Sequence, residues 1–510
     1  MANKKIKLER LMKKGMTISL DIPDIESWKK ITAKDKYIPL TFLETRNLIR
    51  NIFGPDGLRS KKPIRPEVYT PTTTPRSFGK AQYLPIRRGH IRLRFEECHE
   101  ELYARLYFGL SNPDLTSDER NTLEAEIDDA TPKFENNHKT DHFILRWTNS
   151  SANTKDNIKD SSIVEQTGEF LETAWNLYET SFGRTPYIPN DATKMEVIFQ
   201  NIAGIGLASP PDGPIQFDSE IWVCYPGVRQ PVSAHELFHK LQYAFGFRTK
   251  HTPSENYKWF SEGTASWAEV FVWKAVSGSY KILDLFAEPD HNLYKVSYLA
   301  LPYWIFFEAR QKNSVNDNPL RDFLNKYDAL NTSTEYPERL AYSGVINQHW
   351  AHNNVYGQAD NFFALFSRCR VLGDWRNGPT GKLYPDILGP DGNKIEPTLA
   401  VIEVNLGSGD TYDPEGKVSE FGSDYYRLIF KDDADKEDIT INVVGSSTGN
   451  FSYYLIWERN GQIKRESFPS ALTRNYHVSY TLDLSSENSL LLIISGRDKG
   501  GDYSLTVSIT

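Results

Sequence analysis

Beyond residue 396 the chain is written in period two. Tyr425–Phe430, Ile439–Val444, Tyr453–Arg459, His477–Leu484, Leu490–Ser495 and Tyr503–Ile509 are short runs of β-branched, aromatic and aliphatic residues. They recur at roughly ten-residue intervals, the signature of an all-β unit. Side chains alternate faces along a strand, so such runs pay for their apolar content only by pairing and burying one face. Asn460-Gly461, between two of the runs, is a hairpin-turn signal. The expectation for residues 396–510 is an antiparallel β-sandwich.

The rest of the chain follows different rules. From Asp141 the pattern is strand, helix, strand: Phe143–Trp147, an amphipathic Ile163–Phe182 with Phe170, Trp175 and Tyr178 on or near one face, and Met195–Gln200. A Gly/Pro-rich loop from Ala203 to Gly213 leads to Glu220–Tyr225, whose β-favouring residues predict a third strand. Helical spacing then dominates to about Cys369. Residues 1–137 are the least regular. Pro63, Pro66, Pro71, Pro75 and Pro85 force an extended stretch. His90–Phe95 reads as a strand, Glu97–Leu110 has helical spacing, and Thr116-Ser117-Asp118-Glu119 starts a helix to about Ile127 with a cap-like beginning. The expected fold class is therefore α+β. Residues 1–137 form an N-terminal region, a pro-segment or lid; 138–395 a central unit of small mixed sheet plus helices; and 396–510 the β-sandwich.

A length of 510 residues supplies core enough for all three units, with 39% hydrophobic and 25% charged residues, a globular balance. The net charge of -8 gives no general pull on a phosphate backbone, so nucleic acid is not an expected partner. No apolar run reaches the eighteen or so residues of a membrane span. Cys98, Cys224 and Cys369 are far apart, which excludes a disulfide framework and a thiolate metal site within the chain. The opening MANKKIKLERLMKKG has the charge of a signal peptide without its apolar core. It suits a cytoplasmic chain, another export route, or a chain written without its leader.

The chemistry concentrates in Ser233–Phe245, SAHELFHKLQYAF. His235 and His239, four apart on a helix, lie about 40° apart around its axis and offer two imidazoles to one point. That spacing suits zinc. Glu236 projects beside the metal, where it can take a proton from activated water and deliver it to a leaving amine. Catalytic zinc sites hold three protein ligands, so one more is required. The next helical stretch, NYKWFSEGTASWAEVFVWK, offers Glu262 as that ligand. Glu269, two turns on along the same face, is expected to accept from a histidine N–H and so orient that ring. The plain alternatives are that Ser233-x-x-Glu236 is a capping box, that Glu262 caps its own helix, and that Glu269 is a solvated charge. His138 and His142, and His349 and His352, are also closely spaced, but lack an adjacent glutamate and read as polar loop or surface pairs. Cys98 in EECHE reads as part of an exposed helical turn. The acidic stretches Lys431–Asp438 and Asp410–Glu415 read as solvated loops rather than calcium sites.

HELFH followed by WFSEGTASWAE resembles the gluzincin metallopeptidases, over about forty residues. More loosely, DHFILRW, the helix after it, both motif segments and the β-rich C-terminus together resemble bacterial putative secreted metalloproteases with a C-terminal β-sandwich. The resemblance implies a zinc metallopeptidase acting on protein or peptide substrates, and a secreted location. Zinc aminopeptidases place an oxyanion-stabilising tyrosine in a downstream helix; the matching position in VSYLALPYWIFFEAR is Tyr298, with Tyr294, Tyr303 and His291 as substitutes. The Gly-x-Met-Glu-Asn segment by which aminopeptidases hold a free α-amine has no counterpart between Asn201 and Val232. An endopeptidase is therefore expected, with Glu220–Tyr225 as a sheet edge that takes an extended peptide. Two other functions fit the same residues: a gluzincin-like surface or glycan-binding protein that has lost turnover, and a non-peptidase zinc hydrolase.

Overall fold

In the computed structural model, residues 40–53, 114–189, 192–247, 257–311, 318–330 and 387–509 are described with short breaks, along with a few helix and strand residues between 67 and 112 and at 341 and 345. The proline-rich run apart from its short strands, Cys98, Cys369, His349, His352 and residues 432–437 of the acidic run lie outside the described residues. Helices and sheets are both present, as an α+β chain requires.

Near the N-terminus, β1 (Glu67–Val68) pairs antiparallel with β3 (Ile91–Arg92), the described part of the expected His90–Phe95 strand. Between them lies β2 (Ala81–Tyr83). Helix α1 (Phe42–Phe53) packs on α2 (Ser117–Ala130), joined by an Arg46–Glu126 ion pair. At α2, Thr116 Oγ1 accepts from the Glu119 N–H while the Glu119 carboxylate accepts from Thr116 N, the expected reciprocal cap.

A mixed five-stranded sheet follows: β4 (Asn136–Lys139), β5 (Phe143–Trp147), β6 (Met195–Gln200), β7 (Gly206–Ala208) and β8 (Ile215–Asp218), in the order β4-β5-β6-β8-β7. β5, β6 and β8 are parallel, and antiparallel β4 and β7 close the two edges. Helix α3 (Ser161–Phe182) makes the crossover from β5 to β6. Asp160 caps its start, and Gly183 ends it in the left-handed region at φ 65°. Its buried stripe of Val164, Leu171, Trp175 and Tyr178 faces the core. Edge strand β7 also touches the N-terminal helices, because Leu207 is buried with Leu48 and Ile49 of α1 and Leu123 of α2.

The predicted strand at Glu220–Tyr225 is instead helix α4 (Ser219–Cys224). Asp218 accounts for the difference: Oδ1 accepts from Ile221 N at 2.8 Å, the geometry of a helix cap, and Oδ2 accepts from Ile202 N at 2.9 Å. The β-favouring Trp222 is satisfied within the helix, stacked on Phe217 at 4.0 Å with its indole N–H donating to Thr167. Burial thus overrides an intrinsic preference of a few tenths of a kcal/mol per residue, roughly what separates these side chains in helix propensity. Among the described residues, α4 is followed by α5 (Arg229–Ala244), α6 (Lys258–Trp273), α7 (Tyr280–Ala287), α8 (Leu301–Gln311) and α9 (Pro319–Asp328).

The C-terminal region holds strands β9 (Ile402–Leu406), β10 (Thr411–Tyr412), β11 (Glu415–Val418), β12 (Ser423–Phe430), β13 (Asp438–Gly445), β14 (Phe451–Arg459), β15 (Gln462–Ser467), β16 (His477–Asp483), β17 (Ser489–Gly496) and β18 (Gly501–Ile509). All six predicted runs are strands. They form one sheet in the order β15-β14-β17-β12-β9-β2 and another in the order β10-β18-β13-β16, with β11 also on β18. Leu428, Leu455 and Leu492 of the first sheet share an apolar cluster with Ile441, Leu505 and Val507 of the second. The Arg459↔Gln462 pairing leaves Asn460-Gly461 as the two-residue connection. One pairing departs from the antiparallel expectation: β9 runs parallel to β12.

Where this region meets the helices, the Tyr503 hydroxyl donates to Asp424 Oδ2 at 2.5 Å and lies 2.6 Å from the Tyr426 hydroxyl. Burial, reinforced by the Asp290 charge, pushes Asp424 up to about 7. A carboxyl raised in the folded state binds its proton more tightly there. Its stabilising effect is therefore full at low pH and is lost as pH rises from the unfolded value of 3.8 to about 7. Asp424→Asn, which still accepts from Tyr503, is expected to be more stable than wild type at pH 8, by up to about 4 kcal/mol, and to gain less at pH 5. Thermal melts at the two pH values check both the sign and the window.

Candidate metal centre

The site is built on two helices packed side by side. In α5 the buried faces meet α3, α6 and β7, and even the polar side chains are enclosed: His235, Glu236 and His239 are each under 5% exposed. Tyr178 of α3 donates to the Ala234 carbonyl at 2.7 Å, anchoring α5 beside the first histidine. In α6, Gly263 follows Glu262 for a steric reason. A Cβ there would stand 2.7 Å from Trp304 Nε1 and 2.9 Å from Ala300 Cβ, so glycine lets α6 approach the segment that begins α8. The Trp304 indole then donates to the Trp259 carbonyl, and the Trp267 indole to Glu308.

Three ligand atoms converge. His235 Nε2 lies 3.2 Å and His239 Nε2 3.6 Å from Glu262 Oε2, and one donor atom from each of the three residues falls within 4.8 Å of the others. A tetrahedral ion with bonds of 2.0–2.1 Å separates its ligand atoms by about 3.3–3.4 Å. The observed spacings bracket that distance, so the residues fit a metal ion. Among the described residues this is the sole such cluster.

The outer nitrogens explain why the inner ones face each other. His235 Nδ1 sits 2.8 Å from Glu269 Oε1. A carboxylate only accepts, so Nδ1 carries the hydrogen and Nε2 keeps its lone pair for the centre. Glu269 is itself held by the Ser277 N–H at 2.7 Å and by the Lys281 ammonium. Burial pushes the Glu269 carboxyl up, but Lys281 and His235 outweigh it and bring it down to about 2. For Glu262, burial is likewise outweighed by the two imidazoles, which hold it well below the usual carboxylate range. His239 Nδ1 lies 2.9 Å from Gln242 Oε1. The Gln242 amide nitrogen donates to the Ser261 carbonyl and Thr264 hydroxyl, so its oxygen is left to accept from His239 while the side chain ties α5 to α6.

The plain alternatives fail on these contacts. Helix α5 begins at Arg229, so Ser233 lies inside it and donates to the Arg229 carbonyl; no capping box with Glu236 forms. Glu262 is a full turn inside α6, and Glu269 is completely buried. His142 bonds Glu172 at 2.6 Å and stacks on Trp175 at 4.4 Å, and His138 lies on β4, a structural placement for both. Asp410 and Asp413 accept from Gly407 N and the Thr506 hydroxyl.

Glu236 occupies the cleft between α5 and β7. A Cβ on Gly206 would lie 2.6 Å from Glu236 Oε1 and 2.8 Å from both its Cγ and Val232 Cγ1, so the carboxylate depends on glycine in the strand. Gly206→Ala is expected to displace Glu236 and, for any reaction in which that carboxylate moves a proton, to lower the rate by up to about 10²-fold, the effect of a misplacement near 1 Å. Metal content should be unchanged, which separates this from loss of the site.

Tyr298 opens a 3-10 turn ahead of α8 rather than lying within a helix, with its ring 5.7 Å from that of His235 and the Lys281 ammonium 4.7 Å from its centre. The substitutes lie elsewhere. Tyr303 is buried near Trp259 and Trp304, Tyr294 packs between Trp259 and Phe421, and His291 pairs with Glu288 at 2.7 Å. Sequence reasoning missed Gln242, Ser277, Lys281 and Gly206. Gln242 stands at i+3 from His239, a spacing that could have flagged it. Lys281 and Ser277 carried no such signal.

No family model and no curated protein matches the chain. Among solved structures, the pre-peptidase C-terminal domain of a collagenase from Bacillus anthracis is 16% identical, covering 21% of this chain and 93% of that one, with a TM-score of 0.16. PliG of Salmonella Typhimurium, a periplasmic inhibitor of g-type lysozyme, is 17% identical over 21% of this chain and 98% of that one, at 0.15. A family GH115 4-O-methyl-α-glucuronidase, BtGH115A, is 9% identical over 56% and 40% of the two chains, also at 0.15. At such scores these likenesses assign neither fold nor function.

Proposed function

We propose that the protein is a zinc-dependent endopeptidase of gluzincin type, with its catalytic unit followed by a β-sandwich. The observation that carries this reading is the convergence of His235, His239 and Glu262, with Glu236 beside them and Glu269 behind His235. Two imidazoles and one carboxylate are the donor set of a catalytic rather than a structural zinc site. Zinc held by these three residues would supply Lewis acidity.

The remaining work falls to side chains. Glu236 takes one proton as the water oxygen bonds to the scissile carbonyl carbon, and passes it to the nitrogen as the C–N bond breaks. Tyr298, beside His235, donates to the oxygen that becomes negative. Glu269 keeps the His235 ring in one orientation. Cleavage within a chain is supported by β7, which takes over the role expected of Glu220–Tyr225. Among the described residues it is the terminal strand of its sheet and lies against Glu236, a position at which an extended peptide would pair with the strand in place of the N-terminal helices that bury Leu207.

Purified protein is expected to hold one zinc per chain and to cut an unfolded protein at internal bonds, with cleavage stopped by a chelator and restored by zinc. Cleavage that survives complete removal of metal would sink the proposal.

A further inference from the structure

Tyr298 has a second environment. It also lines a cavity of about 920 Å³, within the size range of ligand sites. Part of its lining is helical, with Lys258 at the start of α6 and Asp284 on α7; another part comes from the C-terminal region, with Lys417 on β11, Glu420 in the turn after it and Asp502 on β18. The segment after α7 is bonded to the C-terminal region. Asp290 Oδ1 accepts from Ser419 N at 2.7 Å, the Pro289 carbonyl from Ser423 N at 3.0 Å, and Glu420 from the Asn292 amide at 3.0 Å. Tyr294 packs edge-on against Phe421 at 4.7 Å. The cavity is thus a fixed junction between the C-terminal region and the segment that carries Tyr298.

Its lining mixes ammonium and carboxylate groups with apolar side chains such as Val296, Leu299 and Val418. Such a surface suits a polypeptide, whose amides, carbonyls and side chains need both donors and acceptors, better than a lipid or a polyanion. At the strand rim Lys417 and Asp502 lie 3.4 Å apart, their side chains 76% and 74% exposed.

We propose that the C-terminal sheets form one wall of the substrate cleft, and that Lys417 and Asp502 form a subsite that senses the charge of a substrate side chain. The inference rests on the peptidase reading and extends it: the β unit acts as part of the cleft instead of a separate binding module.

The test uses the full-length zinc-loaded protein and two exposed substitutions. Cleavage is first mapped on an unfolded protein. Peptides built on the best site, carrying Lys or Glu at each flanking position in turn, are then compared by kcat/KM. Lys417→Glu is expected to raise the Lys-over-Glu preference at one flanking position by about threefold, and Asp502→Lys to lower it at the same position by a similar factor, the scale of exposed charge pairs. Both shifts should fade in 1 M salt, where the screening length is about 3 Å. The double exchange K417E/D502K should return the preference toward wild type. Wild-type cleavage with no position responding in opposite directions overturns the inference and leaves the peptidase reading standing. Wild-type protein that cuts no peptide overturns both.

Discussion

Glu236→Gln is expected to reduce kcat on an unfolded protein by about 10²–10⁴-fold, the contribution of a positioned general acid–base group, while zinc content stays at one per chain. The argument is positional. Glu236 is on the same helix as both histidines yet outside the ligand cluster, with its carboxylate lodged between α5 and Gly206. The amide keeps the shape, so packing against Val232 and β7 is retained, but it cannot take a proton from water. KM should change little, because the lost interaction belongs to the transition state. Full zinc with undiminished proteolysis would assign the base to another residue; full zinc with no proteolysis in the wild type would favour a binding protein built on the same core.

Glu262→Gln should act on the metal itself. The amide preserves volume but removes the anionic ligand, and zinc affinity is expected to fall at least 100-fold, taking activity with it at limiting zinc. The discriminating readout is the thermal shift caused by zinc. At a free concentration 100 times its dissociation constant, a ligand that binds only the folded chain stabilises it by about 2.7 kcal/mol. Wild type should show that increment, and the variant almost none at the same zinc concentration. Equal shifts in the two proteins would mean that zinc is held elsewhere.

The residues of the candidate site were legible because helix periodicity pairs them: His235 with His239 at four, Glu262 with Glu269 at seven. The C-terminal strands were legible for the same reason at period two, and the Thr116 cap because its partner Glu119 is three residues away. What escaped was non-local or decided by a single competing contact. Ile221-Trp222-Val223-Cys224 favours a strand by composition, and the Asp218 cap with the Trp222 stack makes it a helix. Short β9, β10 and β11 have too few residues to declare a period. Lys281 finds Glu269, and Lys417 faces the segment of Tyr298, only because the chain folds back, which no window of sequence contains.

The outer support of His235 has a consequence for the balance of charge. Glu236, Glu262 and Glu269 bring three carboxylates into one buried volume, and Lys281 answers one of them. Lys240, near Glu236, is pushed down to about 7 by burial and adds little above that pH. The enclosed groups therefore lack two positive charges, the valence of a divalent ion. A metal ion binds the deprotonated forms of its ligands, so the grip of these residues on such an ion would weaken wherever protons are plentiful.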